Sequence, residues 1–242
     1  MNFIADSKFL VTGAAGTVGK QIVSKLLKSN VRKVIGFDNN ESELFFLGEY
    51  YKDEKALQVV LGDVRESRDI AEITKGIDYV IHASALKHVP LNEVSPMQSV
   101  KTNIIGTQNI IDSCIENNVK KCTFTSSDKA VNPTNVMGAT KLMGEKLIVA
   151  TSSKENSVTK FCATRFGNVA GSKGSVIPLF CNQIIKGRVV NLTSSDMTRF
   201  MMTLDDSVDL VLHAFINGKN DLIHFEGLAN LISSETEQRR IV

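Results

Sequence analysis

The chain lacks tryptophan and contains only four cysteines and four prolines among 242 residues. The cysteines show no C-x-x-C spacing, so the sequence predicts reduced, buried thiols and neither a metal site nor a disulfide framework. No apolar run approaches the ~18 residues that a membrane span needs. Lys and Arg total 28 and Asp and Glu total 26, and both kinds are interspersed along the chain. This charge pattern does not indicate a surface that binds nucleic acid. The cysteines are Cys114, Cys122, Cys162 and Cys181.

The amino-terminal segment also lacks the features of a signal peptide. MNFIADSKFLVTG has no basic region followed by a long apolar one. Together with the lack of a membrane span, this predicts a cytoplasmic protein. The chain is long enough to bury a substantial core, either as one large domain or as one domain with a smaller companion.

Short apolar runs rich in β-branched residues alternate with amphipathic stretches up to about Gly167. The runs KFLVTG, KVIGFD, ALQVVLGD, DYVIHAS, KKCTFTS and KFCATRFG have the composition of strands. The stretches between them, including residues 95–118 as one helix, have apolar residues at helical spacing. This alternation predicts an α/β fold, a Rossmann-type doubly wound parallel sheet with helices on both faces. Its ligand site is expected beyond the carboxyl ends of the strands.

The glycine-rich segment VTGAAGTVG lies between the first predicted strand and the first predicted helix. Gly13 permits a tight turn, and Gly16 lets the backbone approach a pyrophosphate. Gly19 lets the helix pack on the strand, and Thr17 and Val18 open that helix toward the anion. The segment therefore predicts a dinucleotide site; the alternative is a tight strand–helix turn without a ligand.

Asp38 ends the second predicted strand, nineteen residues after Gly19. A carboxylate at this position accepts hydrogen bonds from the adenosine ribose and repels a 2′-phosphate. The following residues NNES include no arginine to neutralise such a phosphate. NAD is therefore the expected cofactor, and NADP is the less favoured alternative.

The third and fourth predicted strands end in further candidate cofactor contacts. Asp63 and Val64 are expected at the adenine edge, and the alternative for Asp63 is the N-cap of the next helix. Ala83, in the segment HASAL, brings backbone close to the cofactor. His82 in the same segment is expected to be packed and hydrogen-bonded, without a catalytic role.

Residues 1–166 form the predicted NAD-binding domain, and residues 167–242 a partial substrate-binding lobe. The second segment has the pattern of a loop, a helix, a short strand and another helix, placed over the strand ends. From about residue 221 the sequence is atypical, and the polar run SSETEQRR predicts disorder. Such a tail is expected to leave one wall of a substrate pocket open.

Five motifs resemble the extended short-chain dehydrogenase/reductases that modify nucleotide sugars. More narrowly, they resemble the polysaccharide-biosynthesis branch, the UDP-N-acetylglucosamine 4,6-dehydratases. The resemblance runs from about Lys8 to about Asn220. It implies a lyase with a UDP-sugar substrate that acts in surface polysaccharide or glycan synthesis, assembled as a homo-oligomer. The motifs are ALKHVPLNE, VKTNIIGT, SSDKAVNPTNVMGATK, RFGNVAGSKGSVIPLF and DMTRFMMTLDD.

The reaction of that branch implies roles for the segment SSDK. Hydride leaves sugar C4, the C5 proton is removed, water is lost across C5 and C6, and hydride returns to C6. By resemblance, Asp128 protonates the departing 6-hydroxyl and Lys129 takes the C5 proton. The alternative is a surface ion pair at the start of a helix.

Met137 occupies the position of the superfamily's catalytic tyrosine, four residues before Lys141. Methionine cannot transfer a proton, and its expected role is packing. In this branch a hydroxyl residue before the Asp-Lys pair is implied to compensate, and here that residue is Ser127. Lys141 is implied to bind the nicotinamide ribose and to supply positive charge near the reacting hydroxyl.

Three segments are implied to hold the substrate. Arg199 in DMTRF is the implied diphosphate clamp, because a guanidinium can bind two phosphate oxygens; the alternative is a surface ion pair. The other implied contacts are Lys87, His88, Asn168, Ser175, Val176 and Pro178.

Two other functions stay open. A nucleotide-sugar 4-epimerase has the same fold, although an epimerase does not need the elimination pair in SSDK. A catalytically inactive NAD-binding module is suggested by Met137 and by the atypical tail.

Overall fold

The computed structural model describes residues 4–153, 158–190 and 198–217. The strands are β1 (Lys8–Thr12), β2 (Lys33–Asp38), β3 (Leu57–Leu61), β4 (Tyr79–His82), β5 (Lys121–Ser127), β6 (Lys160–Phe166), β7 (Asn168–Val169) and β8 (Met201–Met202). The helices are α1 (Thr17–Leu27), α2 (Glu41–Tyr50), α3 (Ser67–Ile73), α4 (Val89–Val94), α5 (Pro96–Ser99), α6 (Gly106–Glu116), α7 (Val136–Ser152), α8 (Val176–Ile185) and α9 (Leu204–Asn217).

Strands β1 to β6 form one parallel sheet in the order β3-β2-β1-β4-β5-β6. Phe9 of β1 pairs with Val34 on one side and with Tyr79 on the other. The chain runs outward from β1 to β3 and then returns to β4, so the strand order reverses between β1 and β4. Such a switch point opens a crevice beyond the carboxyl ends of the strands. The predicted doubly wound sheet is confirmed.

The sheet is covered on both faces, as its apolar strands require. Phe9 and Val11 face a core built with α1, α2 and α9, and Leu10 between them faces a core built with α3, α6 and α7. All three side chains are fully buried. This two-sided burial explains why the strands are continuous apolar runs without polar alternation.

Helix α9 packs on a face of the sheet beside α1. Its residues Val208, Val211 and Phe215 are buried in the same core as Ile22 of α1. The ring of Phe215 lies 5.5 Å from the ring of Phe9, measured between centroids. This packing differs from the expectation that the segment belongs to a lobe above the strand ends. Of that lobe, the structure describes β7, β8 and α8; the atypical tail lies outside the described residues.

Two further features differ from the sequence pattern. The single helix expected over residues 95–118 is α5, a π-helical segment Val100–Ile105 and α6 in succession, and α4 precedes it. The cysteines are free thiols, but Cys181 is exposed, so the prediction of four buried thiols is wrong at that position. The physical reason is that α8, which carries Cys181, buries none of its side chains. In the described parts of the chain, no helix has the length and apolarity to cross a membrane.

Candidate active site

A cleft of about 750 Å³ lies at the carboxyl ends of the sheet strands. Its walls come from the glycine-rich turn, the ends of β2 to β6 and the loop before α8. The predicted site residues that line it are Gly13, Gly16, Thr17, Val18, Gly19, Asp38, Val64, Ala83, Lys87, His88, Ser127, Lys129, Lys141, Asn168 and Ser175. Those that do not line it are Asp63, Asp128, Val176, Pro178 and Arg199.

The turn between β1 and α1 lies directly against the loop that follows β4. Gly13 has a φ of +69°, and a Cβ built there would lie 2.7 Å from the backbone of Ala83 and Ser84. A Cβ on Gly19 would lie 2.0 Å from the carbonyl oxygen of Gly13. Because α1 begins at Thr17, its unpaired amides open onto the cleft. This cradle of backbone fits a diphosphate.

Asp38 holds the glycine-rich turn at the edge of the cleft. One carboxylate oxygen accepts a hydrogen bond from the amide of Ala15 at 2.9 Å, and the other accepts one from the amide of Asn40 at 2.9 Å. A carboxylate oxygen can accept more than one hydrogen bond, so both oxygens retain capacity for ribose hydroxyls. The position therefore fits the predicted ribose contact.

Asp63 faces a neighbouring arginine. Its Oδ2 accepts hydrogen bonds from Nε of Arg65 at 2.9 Å and from Nη2 at 2.5 Å. Burial alone would raise the pKa of this carboxyl, but the hydrogen bonds from Arg65 and Asn39 hold it below the usual value. Helix α3 has Glu66 at its N-cap, so the helix-cap alternative for Asp63 is wrong.

The segment SSDK forms a connected polar cluster at the end of β5. Ser127 donates its hydroxyl hydrogen to Oδ1 of Asp128 at 2.8 Å. The amine of Lys129 donates to the same Oδ1 at 3.0 Å and to Oδ1 of Asn168 at 2.7 Å. The side chains of Lys129 and Asp128 are 30% and 29% exposed. A proton donor and a proton acceptor therefore lie together beside the cleft.

Lys141 of α7 is 5% exposed at the inner wall of the cleft. Its amine donates to the carbonyl oxygen of Thr125 at 2.8 Å and lies 4.7 Å from the ring centre of Phe124. Burial lowers the pKa of Lys141 to about 8. Met137, one helical turn earlier, is buried and also lines the cleft, as expected of a packing residue.

His82 is buried beneath the switch point and hydrogen-bonded on both sides. Nδ1 lies 2.7 Å from the hydroxyl of Thr12, and Nε2 lies 3.1 Å from that of Thr107. Burial, and then the charge of Lys141, lower the pKa of His82 to about 3. Because Thr107 donates its own hydrogen to the carbonyl of Asn103, Nε2 of His82 must be the donor to Thr107. The prediction of a packed, hydrogen-bonded histidine is confirmed.

The bridging loop, residues 171–175, crosses the mouth of the cleft. The amide of Lys173 donates to the hydroxyl of Thr17 at 3.0 Å, and its amine donates to Glu43 at 2.5 Å. The amine of Lys87 donates to the carbonyl oxygen of Lys173 at 2.8 Å. The loop is therefore tied to both sides of the cleft.

Glu43 of α2 is the acidic anchor of the bridging loop. Hydrogen bonds from Lys173 and Lys20 lower the pKa of Glu43 to about 2. Sequence analysis missed both Glu43 and Lys173, because they lie 130 residues apart and no local motif joins them.

Asn103 is a third residue that sequence analysis missed. Its side chain donates to the carbonyl oxygen of Leu86 at 3.0 Å and accepts from the amide of Leu86 at 2.8 Å. It also donates to the hydroxyl of Thr140 at 3.0 Å. These bonds fix the start of the loop that carries Lys87 and His88. The signal in the sequence was an asparagine within an apolar helical stretch. The structure adds the π-helical turn that carries Asn103, a feature frequent at functional sites.

The predicted substrate contacts fall into two groups. Lys87, His88, Asn168 and Ser175 surround the mouth, whereas Arg199 is exposed and donates to the carbonyl oxygen of Thr198 at 2.8 Å. The hydroxyl of Ser175 is buried without a hydrogen-bond partner. The diphosphate role of Arg199 stays a prediction, because the adjoining residues 191–197 lie outside the described part of the chain.

The strand order, the glycine-rich turn, Asp38 and Lys141 together define the Rossmann-type fold of the short-chain dehydrogenase/reductases. Residues 9–230 match the family model described as polysaccharide biosynthesis protein, and the chain belongs to this family. The match continues beyond Asn220, the point at which the sequence motifs fade.

Three relatives of the chain are described by three different names. The chain is 47% identical over 214 residues to an uncharacterized membrane protein of Methanocaldococcus jannaschii, covering 88% of this chain and 64% of that protein. It is 42% identical over 218 residues to a UDP-glucose 4-epimerase of Rickettsia conorii, with the same coverage. It is 43% identical over 209 residues to an inverting UDP-N-acetylglucosamine 4,6-dehydratase of Campylobacter jejuni, covering 85% and 62%. The chain thus spans less than two thirds of the length of these relatives.

Solved structures agree on the fold. The protein Pen from Bacillus thuringiensis superposes with a TM-score of 0.86 at 43% identity, covering 88% of this chain and 68% of that one. A dTDP-glucose 4,6-dehydratase from Streptomyces venezuelae gives a TM-score of 0.80 at 22% identity, covering 88% and 73%. The second similarity bears on the fold alone.

Proposed function

We propose that the chain is the NAD-dependent catalytic part of a nucleotide-sugar 4,6-dehydratase. Its substrate would be UDP-N-acetylglucosamine, and its product a UDP-4-keto-6-deoxy sugar for surface polysaccharide or glycan. The observation that carries this proposal is the Asp128–Lys129 pair, in which a carboxylate and an amine lie 3.0 Å apart beside the cleft. The relative of Campylobacter jejuni, named as an inverting dehydratase of this substrate, supports it.

The cleft fits NAD in the following way. The turn at Gly13 and Gly16 would hold the diphosphate, Asp38 the adenosine ribose, and Lys141 the nicotinamide ribose. Bound NAD would supply a hydride acceptor for sugar C4 and return that hydride to C6. With the carboxylate of Asp38 at the ribose, NAD is favoured over NADP.

Side chains of the protein would carry out the proton transfers. Lys129 would take the C5 proton, and Asp128 would protonate the departing 6-hydroxyl, which leaves as water. Ser127, which donates to Asp128 at 2.8 Å, would accept the proton of the 4-hydroxyl in place of the missing tyrosine while its own hydrogen passes to Asp128, and this is the proton that Asp128 then gives to the 6-hydroxyl. The cationic Lys141 would stabilise negative charge that develops on the C4 oxygen.

A 4-epimerase is the second candidate, favoured by the 42% identity to the Rickettsia enzyme named UDP-glucose 4-epimerase. An epimerase keeps the 6-hydroxyl and needs no acid at C6, so the Asp128–Lys129 pair would have no function in it. The cytoplasmic location, the homo-oligomeric state and the contacts of the predicted substrate residues remain predictions.

Proton NMR in deuterated water separates these functions. The chain is incubated with catalytic NAD and either UDP-N-acetylglucosamine or UDP-glucose. A C6 methyl signal beside a 4-keto sugar, with deuterium at C5, is the expected dehydratase result. A C4 epimer with an intact 6-hydroxyl would establish the epimerase, and NAD binding without any product would indicate an inactive module.

Lys129→Ala provides the mechanistic control. We expect the variant to bind NAD as tightly as the unaltered chain but to form no methyl product, because the C5 proton has no acceptor. Normal turnover by Lys129→Ala would remove this residue from the mechanism and would refute the proposed elimination.

A further inference from the structure

A buried ion pair lies one helical turn beyond Lys141 on α7. Nε of Arg165 donates to Oε1 of Glu145 at 2.7 Å, and Nη2 of Arg165 donates to Oε2 of Glu145 at 2.5 Å. The side chains of Arg165 and Glu145 are only 10% and 5% exposed. Arg165 belongs to β6, so this bidentate pair joins α7 to the last strand of the sheet. Sequence analysis gave neither residue a role.

Lys141 and Glu145 are neighbours on one face of α7. Helical positions four residues apart lie next to each other, so Glu145 is a natural ion-pair partner for Lys141. Both carboxylate oxygens of Glu145 are instead bonded to Arg165. The amine of Lys141 donates to the carbonyl oxygen of Thr125 and lines the cleft. The guanidinium therefore occupies the carboxylate that would otherwise draw the amine away from the cleft.

The electrostatics of Lys141 agree with this geometry. Burial lowers the pKa of Lys141 to about 8, and the negative charge of Glu145 acts in the opposite direction. Because the positive charge of Arg165 is in contact with the same carboxylate, it offsets much of the effect of Glu145 on the amine. The pair thus bears on the charge of Lys141 as well as on its position.

Other charged groups come from the elements packed around α7. His82 of β4 is buried and neutral, and the charge of Lys141 contributes to its low pKa. Asp128 and Lys129 after β5 pair with each other, and Glu93 of α4 accepts a backbone amide at the first turn of α7. The remaining groups lie at exposed positions, at the mouth of the cleft or at the opposite ends of the strands: Lys101, Asp112, Glu116, Lys87, His88, Lys121 and Lys160. Among these groups of the described chain, Glu145 is the one whose charge raises the pKa of Lys141.

We propose that Arg165 is a positioning residue for Lys141: by holding both oxygens of Glu145, it keeps the amine of Lys141 directed at the cleft and available to a ligand. This inference rests on the role proposed for Lys141 at the nicotinamide ribose. A planar guanidinium suits the task because it binds both carboxylate oxygens at once, which an ammonium does not. Without Arg165, the buried carboxylate would lack this partner and would attract the amine of Lys141.

The test measures the titration of Lys141 in the ligand-free full chain by NMR of labelled lysine side chains. Comparison with Lys141→Met identifies the signal, which should titrate near pH 8 in the unaltered chain. Arg165→Met should move this midpoint upward by about one to three pH units, the usual effect of an opposite charge close to an amine. Glu145→Gln should move it downward, because the positive charge of Arg165 is then no longer offset.

The double variant Arg165→Met/Glu145→Gln carries neither charge. Its midpoint should therefore return to within about one pH unit of the unaltered chain. Arg68→Met, at an exposed position of α3, is the control and should leave the midpoint unchanged. Removal of a whole buried pair is better tolerated than removal of one partner. If Arg165→Met does not fold, the fall in Glu145→Gln and its reversal in the double variant still decide the question.

Two results of the titration would overturn the inference. A midpoint near pH 8 in every variant would mean that the pair only joins α7 to β6. Shifts in the same direction in Arg165→Met and Glu145→Gln would indicate a general loss of packing, because an electrostatic effect must change sign with the charge that is removed.

Calorimetry separates this inference from the proposed function. At pH 7, Arg165→Met should bind NAD about 10-fold more weakly, the loss of a hydrogen bond from a charged donor. ADP, which lacks the nicotinamide ribose, should bind equally to both chains. Equal NAD affinity in Arg165→Met would refute the positioning of Lys141 for a ligand. If the unaltered chain binds no NAD but the titration shifts have the expected signs, the proposed function falls, and the effect of Arg165 on Lys141 remains.

Discussion

The amine of Lys129 lies 2.7 Å from the side-chain oxygen of Asn168, which joins the end of β5 to the small strand β7. The backbone amide of Asn168 in turn donates to the carbonyl oxygen of Phe200 at 2.9 Å, next to β8. The proposed base is thus positioned partly by the small β7–β8 pair and not by the large sheet alone. A change in this pair should therefore alter the reaction at C5.

Asn168→Leu removes the oxygen that accepts from Lys129 while nearly preserving side-chain volume. We expect kcat for methyl product to fall by roughly 10- to 100-fold, because a misplaced catalytic group loses its orientation. Asn168→Gln retains a neutral side-chain oxygen that can accept from Lys129 and should lose less. The measurement is kcat together with deuterium incorporation at C5; an equal loss in both variants would contradict a positioning role.

Lys141 should make stability depend on pH. Burial lowers its pKa to about 8 from an ordinary value of 10.5, so the unfolded chain binds more protons than the folded chain between these values. The free energy of unfolding should therefore rise with pH across that window. Below about pH 8 the buried amine is charged, so the free energy of unfolding is lowered by the full cost of burying that charge.

The matched variant is Lys141→Met, which removes the titrating group. Its stability advantage over the unaltered chain should be greatest at pH 7 and should shrink between pH 8 and 10. Denaturant unfolding at a series of pH values measures this difference. A difference that stays constant with pH would mean that the buried amine does not titrate in this range.

Gly13 and Gly171 share a φ of +69° but differ in their surroundings. A Cβ on Gly13 would meet the backbone of Ala83 and Ser84 at 2.7 Å, whereas a Cβ on Gly171 would meet nothing within 4 Å. Gly171→Ala should cost about 1–2 kcal/mol from the left-handed backbone alone. Gly13→Ala should cost more and should also abolish dinucleotide binding. Equal losses in unfolding free energy would refute the close-approach argument.

Glu43→Gln should loosen the bridging loop. The neutral amide cannot pair with the ammonium groups of Lys173 and Lys20, which bond to the carboxylate at 2.5 and 2.7 Å. We expect NAD to dissociate about 2- to 10-fold faster, the range for two partly exposed ion pairs. Stopped-flow displacement measures this rate, with Glu49→Gln at an exposed position of α2 as the control. An unchanged rate would show that the loop does not limit release.

The parts of the fold that are local in sequence could be predicted. Each of β1 to β6 coincides with an apolar run, and Gly13 and Asp38 lie where a strand–turn–helix pattern places them. Helix α9 was harder, because amphipathic spacing predicts a helix but does not indicate which neighbour its apolar face meets. Here that face packs beside α1 and beneath Phe9.

The site was predictable to the extent that its contacts follow motifs. Lys129 and Lys141 lie in one segment and converge on the cleft as expected. The pairing of Lys173 with Glu43 has no motif, and neither does the hydrogen bonding of Asp63 to Asn39 and Arg65. A linear pattern does not contain that information.

The hydrogen bonds that join Thr12, His82 and Thr107 have one donor–acceptor order, in which Thr12 donates to Nδ1 and Nε2 donates to Thr107. The imidazole stays neutral at any pH well above about 3. In NMR spectra the ring signals of His82 should therefore show no titration of the ring itself over the working range of the protein, although they should respond to the change in charge of Lys141 near pH 8. Since the ring is hydrogen-bonded to Thr12, directly before the turn at Gly13, a shift in those signals at a constant pH would report ligand or backbone movement. The fold thus contains its own spectroscopic reporter in the buried layer beneath the cleft.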